Sequence, residues 1–256
     1  MIRPAIGALA AFFAMMMAAT PARPAGAQTC TTQTFSGQSA IVCDLAPGDL
    51  RLFWSDPEGK PFRRFSALAD ALAETGQTLA LAINAGMYGT DFAPTGLYVE
   101  QGEQLRPLNT ATVEGRPAQI PNFYKKPNGV FFIDDAGAHI LPTDTYAAAG
   151  RTPRLATQSG PMLVIDGALH PALIENSTDR TRRSGVGVCE NGTVRIAISQ
   201  GDTNFFDFAT LFRDHLNCPN ALFLDGGQGA GLYHPATNRN DFSWHGGYGP
   251  MLGVVE

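Results

Sequence analysis

The segment that decides the fold is LALAINAGMY, residues 79–88. Its first five residues are apolar, and Asn84, Ala85 and Gly86 follow them. A short apolar run that stops at a turn-forming residue and glycine is typical of a buried β-strand. We therefore expect a strand that carries the Asn84 side chain to one edge of a sheet.

Three further segments repeat this pattern: residues 156–161 (ATQSGP), 194–204 (VRIAISQGDTN) and 221–227 (ALFLDGG). Each one alone is compatible with an ordinary turn, because Asn, Asp and Gly are common turn formers. Asp202 or Thr203 could also cap a helix predicted near residue 207. Four strands that end in an amide, a hydroxyl or a carboxylate together predict one polar cluster at one rim.

Turn residues between β-branched or aromatic runs predict three hairpins. Their turns are Gln101-Gly102, residues 134–137 and Asn191-Gly192. A further strand is predicted over residues 162–166, with a turn at Gly167. Much of the sheet should therefore be antiparallel.

Helical periodicity is confined to residues 62–74 and 207–216, with Gly76 and Asn217 as stop signals. No Ser/Gly-rich or charged linker divides the chain. We predict one α+β domain over residues 28–256, a mixed and largely antiparallel sheet with a few helices.

The N-terminus has the order of a secretory signal peptide. Arg3 precedes an apolar run from Ala5 to Ala19, and a small-residue triplet ends at Ala27. The run is about 15 residues long, below the roughly 18 to 20 that a membrane-spanning helix needs. We expect cleavage after residue 27, a periplasmic or secreted protein and no stable membrane insertion.

Charge and cysteine content narrow the partners and the compartment. The chain has 18 Lys and Arg against 23 Asp and Glu and no basic stripe, which argues against nucleic acid as the main partner. Four cysteines allow three pairings, and an exported protein should form disulfides. We favour Cys30 with Cys43 and Cys189 with Cys218, because each pair closes a modest loop.

The densest positive run is DRTRRSGVG, residues 179–187. Such a run is usually a solvated loop. This one enters a strand at Gly185, so one arginine should be drawn toward the sheet, where it could bind phosphate with two parallel hydrogen bonds.

Four motifs occur in the order seen in the phosphodiester glycosidase family, which the sequence resembles from about Leu79 to its end. They are residues 84–88 (NAGMY), 159–163 (SGPML), 183–187 (RSGVG) and 224–227 (LDGG). The family includes the uncovering enzyme, which removes N-acetylglucosamine from a phosphodiester on lysosomal mannose, and exported bacterial members loosely linked with exopolysaccharide. The resemblance implies an exported hydrolase that cleaves a glycosyl-1-phosphodiester in a glycan or envelope polysaccharide.

Two positions depart from the uncovering-enzyme branch. The last motif continues as Gln228-Gly229-Ala230-Gly231, where that branch has a further glycine and a serine. Met87-Tyr88 stands where an aromatic pair is usual. These departures leave two alternatives open: a glycan-binding or exopolysaccharide-assembly module without turnover, and a hydrolase for another phosphodiester, such as teichoic or lipid-linked material.

The chemistry predicts roles for individual residues. Arg183 is expected to bind the phosphate, and Asp225 to act as general base or nucleophile, with Asp202 and Glu175 as partner carboxylates. The departing phosphate monoester is weakly basic, so cationic or backbone donors matter more than a strong general acid.

Substrate contacts are predicted along the same rim. Asn84 and Ser159 would orient sugar hydroxyls or phosphate, while Gly86 and Gly160 would let backbone approach the ligand. The full predicted set is Asn84, Gly86, Tyr88, Ser159, Gly160, Thr203, Gly226 and Gly227.

Aromatic side chains and a cation are further candidates. Tyr88 or Trp244 could stack on a sugar, although an aromatic residue in such a position more often belongs to the core. His245 is a minor catalytic candidate. Calcium or magnesium would suit the Asp, Asn and carbonyl oxygens of these loops, but no EF-hand spacing is present and we assign no metal ligands.

Overall fold

The computed structural model describes residues 29–116 and 119–256, and the predicted signal peptide over residues 1–27 lies outside them. The helices are α1 Phe65–Glu74, α2 Thr143–Ala148 and α3 Phe205–Thr210, which continues as a π-helical turn over Leu211–His215. The strands are β1 Thr29–Phe35, β2 Gln38–Leu45, β3 Leu50–Phe53, β4 Leu79–Asn84, β5 Tyr98–Glu100, β6 Glu103–Arg106, β7 Gly129–Asp134, β8 Gly137–Pro142, β9 Leu155–Ser159, β10 Met162–Ile165, β11 Ala168–Leu169, β12 Arg183–Val188, β13 Val194–Ser199, β14 Asn220–Gly226, β15 Leu232–His234, β16 Arg239–Asn240 and β17 Met251–Val255.

The strands form three sheets. The first has the order β1-β2-β13-β12-β14-β10-β11, the second β16-β15-β4-β17-β3, and the third β6-β5-β9-β7-β8. Neighbouring strands within these sheets pair antiparallel. The predicted α+β class is confirmed, and the single predicted sheet is divided into three.

One apolar core joins all three sheets. Ile83 of β4, Phe131 of β7 and Leu224 of β14 lie in the same buried cluster. On β4, Leu81 and Ile83 face this shared core, while Leu79 and Ala82 face a second cluster on the other side of the sheet. Because both faces of β4 are covered, its sequence is apolar at every position before Asn84.

Each sheet is covered on its outer face by one helix. Phe65 and Leu68 of α1 pack against the second sheet, and Tyr146 of α2 packs against the third. Phe208 of α3 and Phe212 of the π-helical turn pack against the first sheet. The helices therefore close the outside of the domain and leave the strand ends free to carry the site.

The helix boundaries differ from the predictions at their starts. Helix α1 begins three residues late, at Phe65. Helix α3 begins at Phe205 because the Asn204 side chain accepts a hydrogen bond from the backbone N–H of Asp207 (2.7 Å). Asn204 is thus the cap, and the alternative that Asp202 or Thr203 caps this helix is wrong.

The predicted hairpins and disulfides are confirmed. Strand pairs β5–β6, β7–β8 and β12–β13 form around the expected turns. Disulfides join Cys30 to Cys43 across β1 and β2, and Cys189 to Cys218. No helix in residues 29–116 and 119–256 is long and apolar enough to cross a membrane.

Candidate active site

Strand ends from all three sheets meet at one rim of the domain. Because β12 runs antiparallel to both neighbours, its first residues lie beside the last residues of β13 and β14. Arg183 pairs with Gly226, and the Arg183 backbone N–H donates to Ser199 Oγ (2.9 Å). Ser184 pairs with Asp225 on the adjacent position.

Buried side chains connect the three sheets at this rim. Asn84 Nδ2 of the second sheet donates to Ser184 Oγ of the first (2.9 Å), and Asn84 Oδ1 accepts from Gly231 N (3.0 Å). Ser159 Oγ of the third sheet donates to the Leu224 carbonyl of the first (2.9 Å). The structure therefore brings Asn84, Ser159 and Asp225 together, but the two uncharged side chains bind protein and are buried.

Ser184 connects the polar residues at this rim, and the sequence did not predict it. Its hydroxyl donates to the Asp225 carbonyl (3.0 Å) and lies 3.3 Å from the Asp225 backbone N. With Asn84 as a third partner, the hydroxyl fixes the backbone beneath the carboxylate. The only signal was its place beside Arg183 in the RSGVG motif, at the strand position that alternates with the arginine.

The Asp225 carboxyl group is half-buried and lacks a cationic partner among the described residues. Its Oδ1 accepts from the Gly226 backbone N–H (2.8 Å), and a Cβ on Gly229 would collide with the carboxylate. Burial raises the pKa of Asp225 to about 6, although the Gly226 hydrogen bond opposes this. A carboxyl group with this pKa can exchange a proton near neutral pH.

Tyr88 shares the environment of Asp225. Burial, and then the charges of Asp225 and Tyr248, hold the pKa of Tyr88 well above its usual range. Tyr88 Oη lies 2.9 Å from both the Gly247 carbonyl and His245 Nε2. The carbonyl can only accept, so Tyr88 donates to Gly247 and His245 Nε2 donates to Tyr88.

The sequence predicted that the Arg183 guanidinium faces a phosphate, whereas in the structure the guanidinium is buried within the protein. The Arg183 side chain is 1% exposed and lies 3.6 Å above the centre of the Phe205 ring. Nε donates to the Thr203 carbonyl (2.8 Å), and Nη2 donates to the Asp179 carbonyl (3.1 Å). Burial lowers the pKa of Arg183 to about 10, against the charges of Asp179 and Asp202.

The burial of the Arg183 side chain follows from the alternation of side chains along strand β12. Successive side chains of β12 point to opposite faces, so Ser184 faces Asn84 and Asp225 while Arg183 faces helix α3. The two residues share the rim, but the guanidinium and the Asp225 carboxylate have separate surroundings.

No hydrogen bond within the described residues joins Asp225 to either of the other two predicted carboxylates. Asp202 is exposed and contributes to the surroundings of Arg183, and Glu175 is exposed in the loop before β12. Thr203 is buried, and its backbone exchanges hydrogen bonds with Thr181. The roles of Asp202 and Glu175 as partner carboxylates stay predictions.

Gly86 and Gly160 accommodate other parts of the chain. A Cβ on Gly86 would collide with the Gln158 carbonyl and with Thr157 Oγ1, to which the Gly86 N–H donates (3.1 Å). A Cβ on Gly160 would lie 2.8 Å from the Phe123 carbonyl. We predicted that these glycines let the backbone approach a ligand closely. In the structure it is other segments of the protein chain that approach them.

Gly226 and Gly227 form the turn that follows Asp225. A Cβ on Gly226 would lie 2.9 Å from the Arg182 carbonyl, and Gly227 has φ +57°. Both positions therefore favour glycine for the path of the chain. Across the described part of the chain, no three His, Cys, Asp or Glu residues are grouped so that they could hold a metal ion.

A proton-exchanging carboxyl group at the meeting point of three sheets is the kind of site used for acid–base or nucleophilic catalysis. The chain belongs to the phosphodiester glycosidase family, whose model matches residues 77–255. The predicted family membership is therefore confirmed.

Relatives agree with this assignment. The uncharacterized protein YigE of Escherichia coli strain K12 is 34% identical over 177 residues, which is 69% of this chain and 66% of YigE, just under two thirds of its length. The catalytic domain of zebrafish N-acetylglucosamine-1-phosphodiester alpha-N-acetylglucosaminidase, auto-inhibited by its pro-peptide, has a TM-score of 0.61 at 15% identity, covering 89% of this chain and 81% of that one. A putative exported protein of Burkholderia pseudomallei K96243 has a TM-score of 0.51 at 12% identity, covering 85% and 74%. At these identities the two structures show a shared fold.

Proposed function

We propose that this chain is an exported hydrolase that cleaves a glycosyl-1-phosphodiester in a glycan or envelope polysaccharide, with the Asp225 carboxylate as its reactive group. The half-buried Asp225, without a salt-bridge partner among the described residues and with a pKa of about 6, carries the proposal. Family membership supplies the reaction class.

The reaction breaks the bond between the anomeric carbon and the phosphate oxygen. As a general base, Asp225 takes a proton from water while the water oxygen bonds to the anomeric carbon, and the phosphate monoester leaves with the bonding electrons. As a nucleophile, Asp225 bonds to that carbon while the phosphate monoester leaves with the bonding electrons, and water then breaks the bond between Asp225 and the carbon and releases the sugar. The weakly basic leaving group needs little protonation in either route.

The surrounding residues have supporting roles. Ser184 binds the Asp225 backbone within the first sheet, Asn84 binds Ser184 from the second sheet, and Ser159 binds the neighbouring Leu224 carbonyl from the third. We therefore assign these three residues positioning roles. Tyr88 is half-buried, and the charge of Asp225 contributes to its raised pKa, so we assign Tyr88 to the sugar. Arg183 orders the loops that carry Asp179 and Thr203 and stabilises the rim from its other face.

Export is part of the proposal. Two disulfides support an extracytoplasmic location. The order of residues 1–27 supports a signal peptide.

A panel of chromogenic sugar-1-phosphodiesters tests the function. The wild type should release chromophore from at least one member, and Asp225→Asn should lower kcat by about 10³-fold, within the range for removal of a catalytic carboxylate. Asp70→Asn, an exposed change on α1, is the matched control. NMR of the first sugar product assigns the route, since a retained anomer indicates a nucleophile and an inverted one a base. Absence of turnover on every member, with glycan binding intact, would favour the binding module instead.

A further inference from the structure

The loop beside Tyr88 exposes two large aromatic side chains. Trp244 is 82% exposed and Phe242 is 51% exposed, and their rings meet edge to face with centroids 5.3 Å apart. Neighbouring exposed aromatics on a folded protein commonly mark an interaction site. The proposed chemistry at Asp225 does not explain why these two rings are exposed.

The loop is held in place by hydrogen bonds. Arg63 Nε and Nη2 both donate to the Gly246 carbonyl (2.9 and 2.7 Å), and Tyr248 N donates to the Arg63 carbonyl (2.8 Å). Ser243 Oγ lies 2.6 Å from His245 Nδ1. The two exposed rings are thus carried by a pre-organised loop, which lowers the entropy lost on binding.

Two neighbouring arginines lie against aromatic rings in this region. The guanidinium of Arg63 lies 4.2 Å from the centre of the Phe92 ring, and that of Arg64 lies 5.7 Å from the centre of the Phe242 ring. Both arginines are exposed, and neither forms a salt bridge within the described residues. In a chain with a formal net charge of −5, this places the positive charge of Arg63 beside the half-buried Phe92 ring and that of Arg64 beside the exposed Phe242 ring.

We name Arg63, Arg64, Phe92, Phe242 and Trp244 the aromatic–arginine strip. It is continuous with the candidate site, because the Phe92 ring stacks on Tyr88 with centroids 5.6 Å apart. Tyr88 follows Asn84 by four residues, and the Asn84 side chain binds Ser184, which pairs with Asp225. Asp241, next to Phe242, is neutralised by Arg182 and Arg239. Asp91 is the exposed carboxylate beside Phe92.

We propose that the aromatic–arginine strip binds the part of an anionic, phosphodiester-linked glycan that extends away from the bond cleaved at Asp225. The apolar face of a pyranose ring packs on Trp244, and Arg64 binds a phosphate between sugar units. The inference rests on the proposed function for its ligand class. It assigns a second binding region that would make the enzyme prefer chains over single glycosyl phosphates.

The test measures binding without turnover, in an Asp225→Asn background. The probes are a hexamer of N-acetylglucosamine units joined by phosphodiesters and the neutral chitohexaose of equal length. Calorimetric titration should show tighter binding of the phosphodiester hexamer, and Trp244→Ala should weaken it about tenfold, equivalent to roughly 1.4 kcal/mol. Arg64→Ala should weaken only the phosphodiester hexamer. The matched controls, exposed Leu105→Ala and exposed Arg51→Ala, should leave both affinities unchanged.

Fluorescence provides a second readout that monitors folding as well. Trp54 is half-buried and remains in the Trp244→Ala variant, so its emission reports whether that variant is folded. The hexamer should change tryptophan emission in the parent but not in Trp244→Ala. The inference is overturned when Trp244→Ala binds the hexamer as tightly as its parent, or when both probes bind equally. If the enzyme turned over a member of the substrate panel but the aromatic–arginine strip did not bind the hexamer, only this inference would be wrong. If the strip bound the hexamer but no panel member was turned over, only the proposed hydrolytic function would be wrong.

Discussion

Arg183 and Asp225 lie one residue apart in the register of paired strands β12 and β14, yet the protein surrounds their charges in opposite ways. The Arg183 guanidinium is buried against Phe205 and donates to two backbone carbonyls. The Asp225 carboxyl is half-buried, accepts one backbone hydrogen bond and forms no salt bridge within the described residues. A buried guanidinium that donates to backbone carbonyls stabilises the fold, whereas a carboxyl group without a counter-ion is available for chemistry.

The largest expected effect on stability comes from Arg183. Arg183→Met should lower the free energy of unfolding by about 3 kcal/mol, because two carbonyls and Asp179 lose a buried donor. Urea denaturation measures the change, and exposed Arg51→Met should change stability by less than about 0.5 kcal/mol. If Arg183→Met left the free energy of unfolding almost unchanged and lost only phosphate affinity, the guanidinium would bind the ligand as the sequence predicted.

The pH dependence of activity probes the other member of the pair. If Asp225 must be ionised to act, kcat/KM should fall about tenfold per pH unit below its pKa of about 6. Asp70→Asn should keep the wild-type profile. A rate that rises as the pH falls below 6 would show instead that the protonated group is the active form.

The same carboxylate should cost stability at neutral pH. The pKa of Asp225 is higher in the folded protein than in the unfolded chain, so the folded state binds the proton more tightly and the ionised group is disfavoured as the pH rises through about 6. Asp225→Asn should therefore stabilise the protein by about 1–2 kcal/mol at pH 7.5, after allowance for its partial exposure. The gain should vanish below about pH 4. Equal effects at both pH values in denaturation experiments would contradict a raised pKa.

The smallest effect concerns the link between the sheets. Ser184→Ala should lower stability by about 1 kcal/mol because Asn84 Nδ2 and the Asp225 backbone lose a partner. A double-mutant cycle with Asn84→Ala should give a coupling energy of about 0.5–1 kcal/mol. Additive effects would mean that these side chains do not act together in holding Asp225.

Much of the fold could be predicted because the signals are local. Turn residues such as Asn191-Gly192 defined hairpins, and residues 79–84 read as a buried strand ending in Asn84. The N-terminal hairpin of β1 and β2 was not predicted beyond its disulfide. The division into three sheets could not be predicted, since it depends on which strands pair over long separations.

The sequence by itself determined the strand ends, the polar residues they carry, the two disulfides and the family. Only the tertiary structure decided that Ser184 faces Asp225 while Arg183 faces α3, and that Glu175 and Asp202 are exposed. Alternation along a strand is written in the sequence, but what packs on each face is not. The surroundings of a charge, and therefore its role, are set by residues that are distant in the chain.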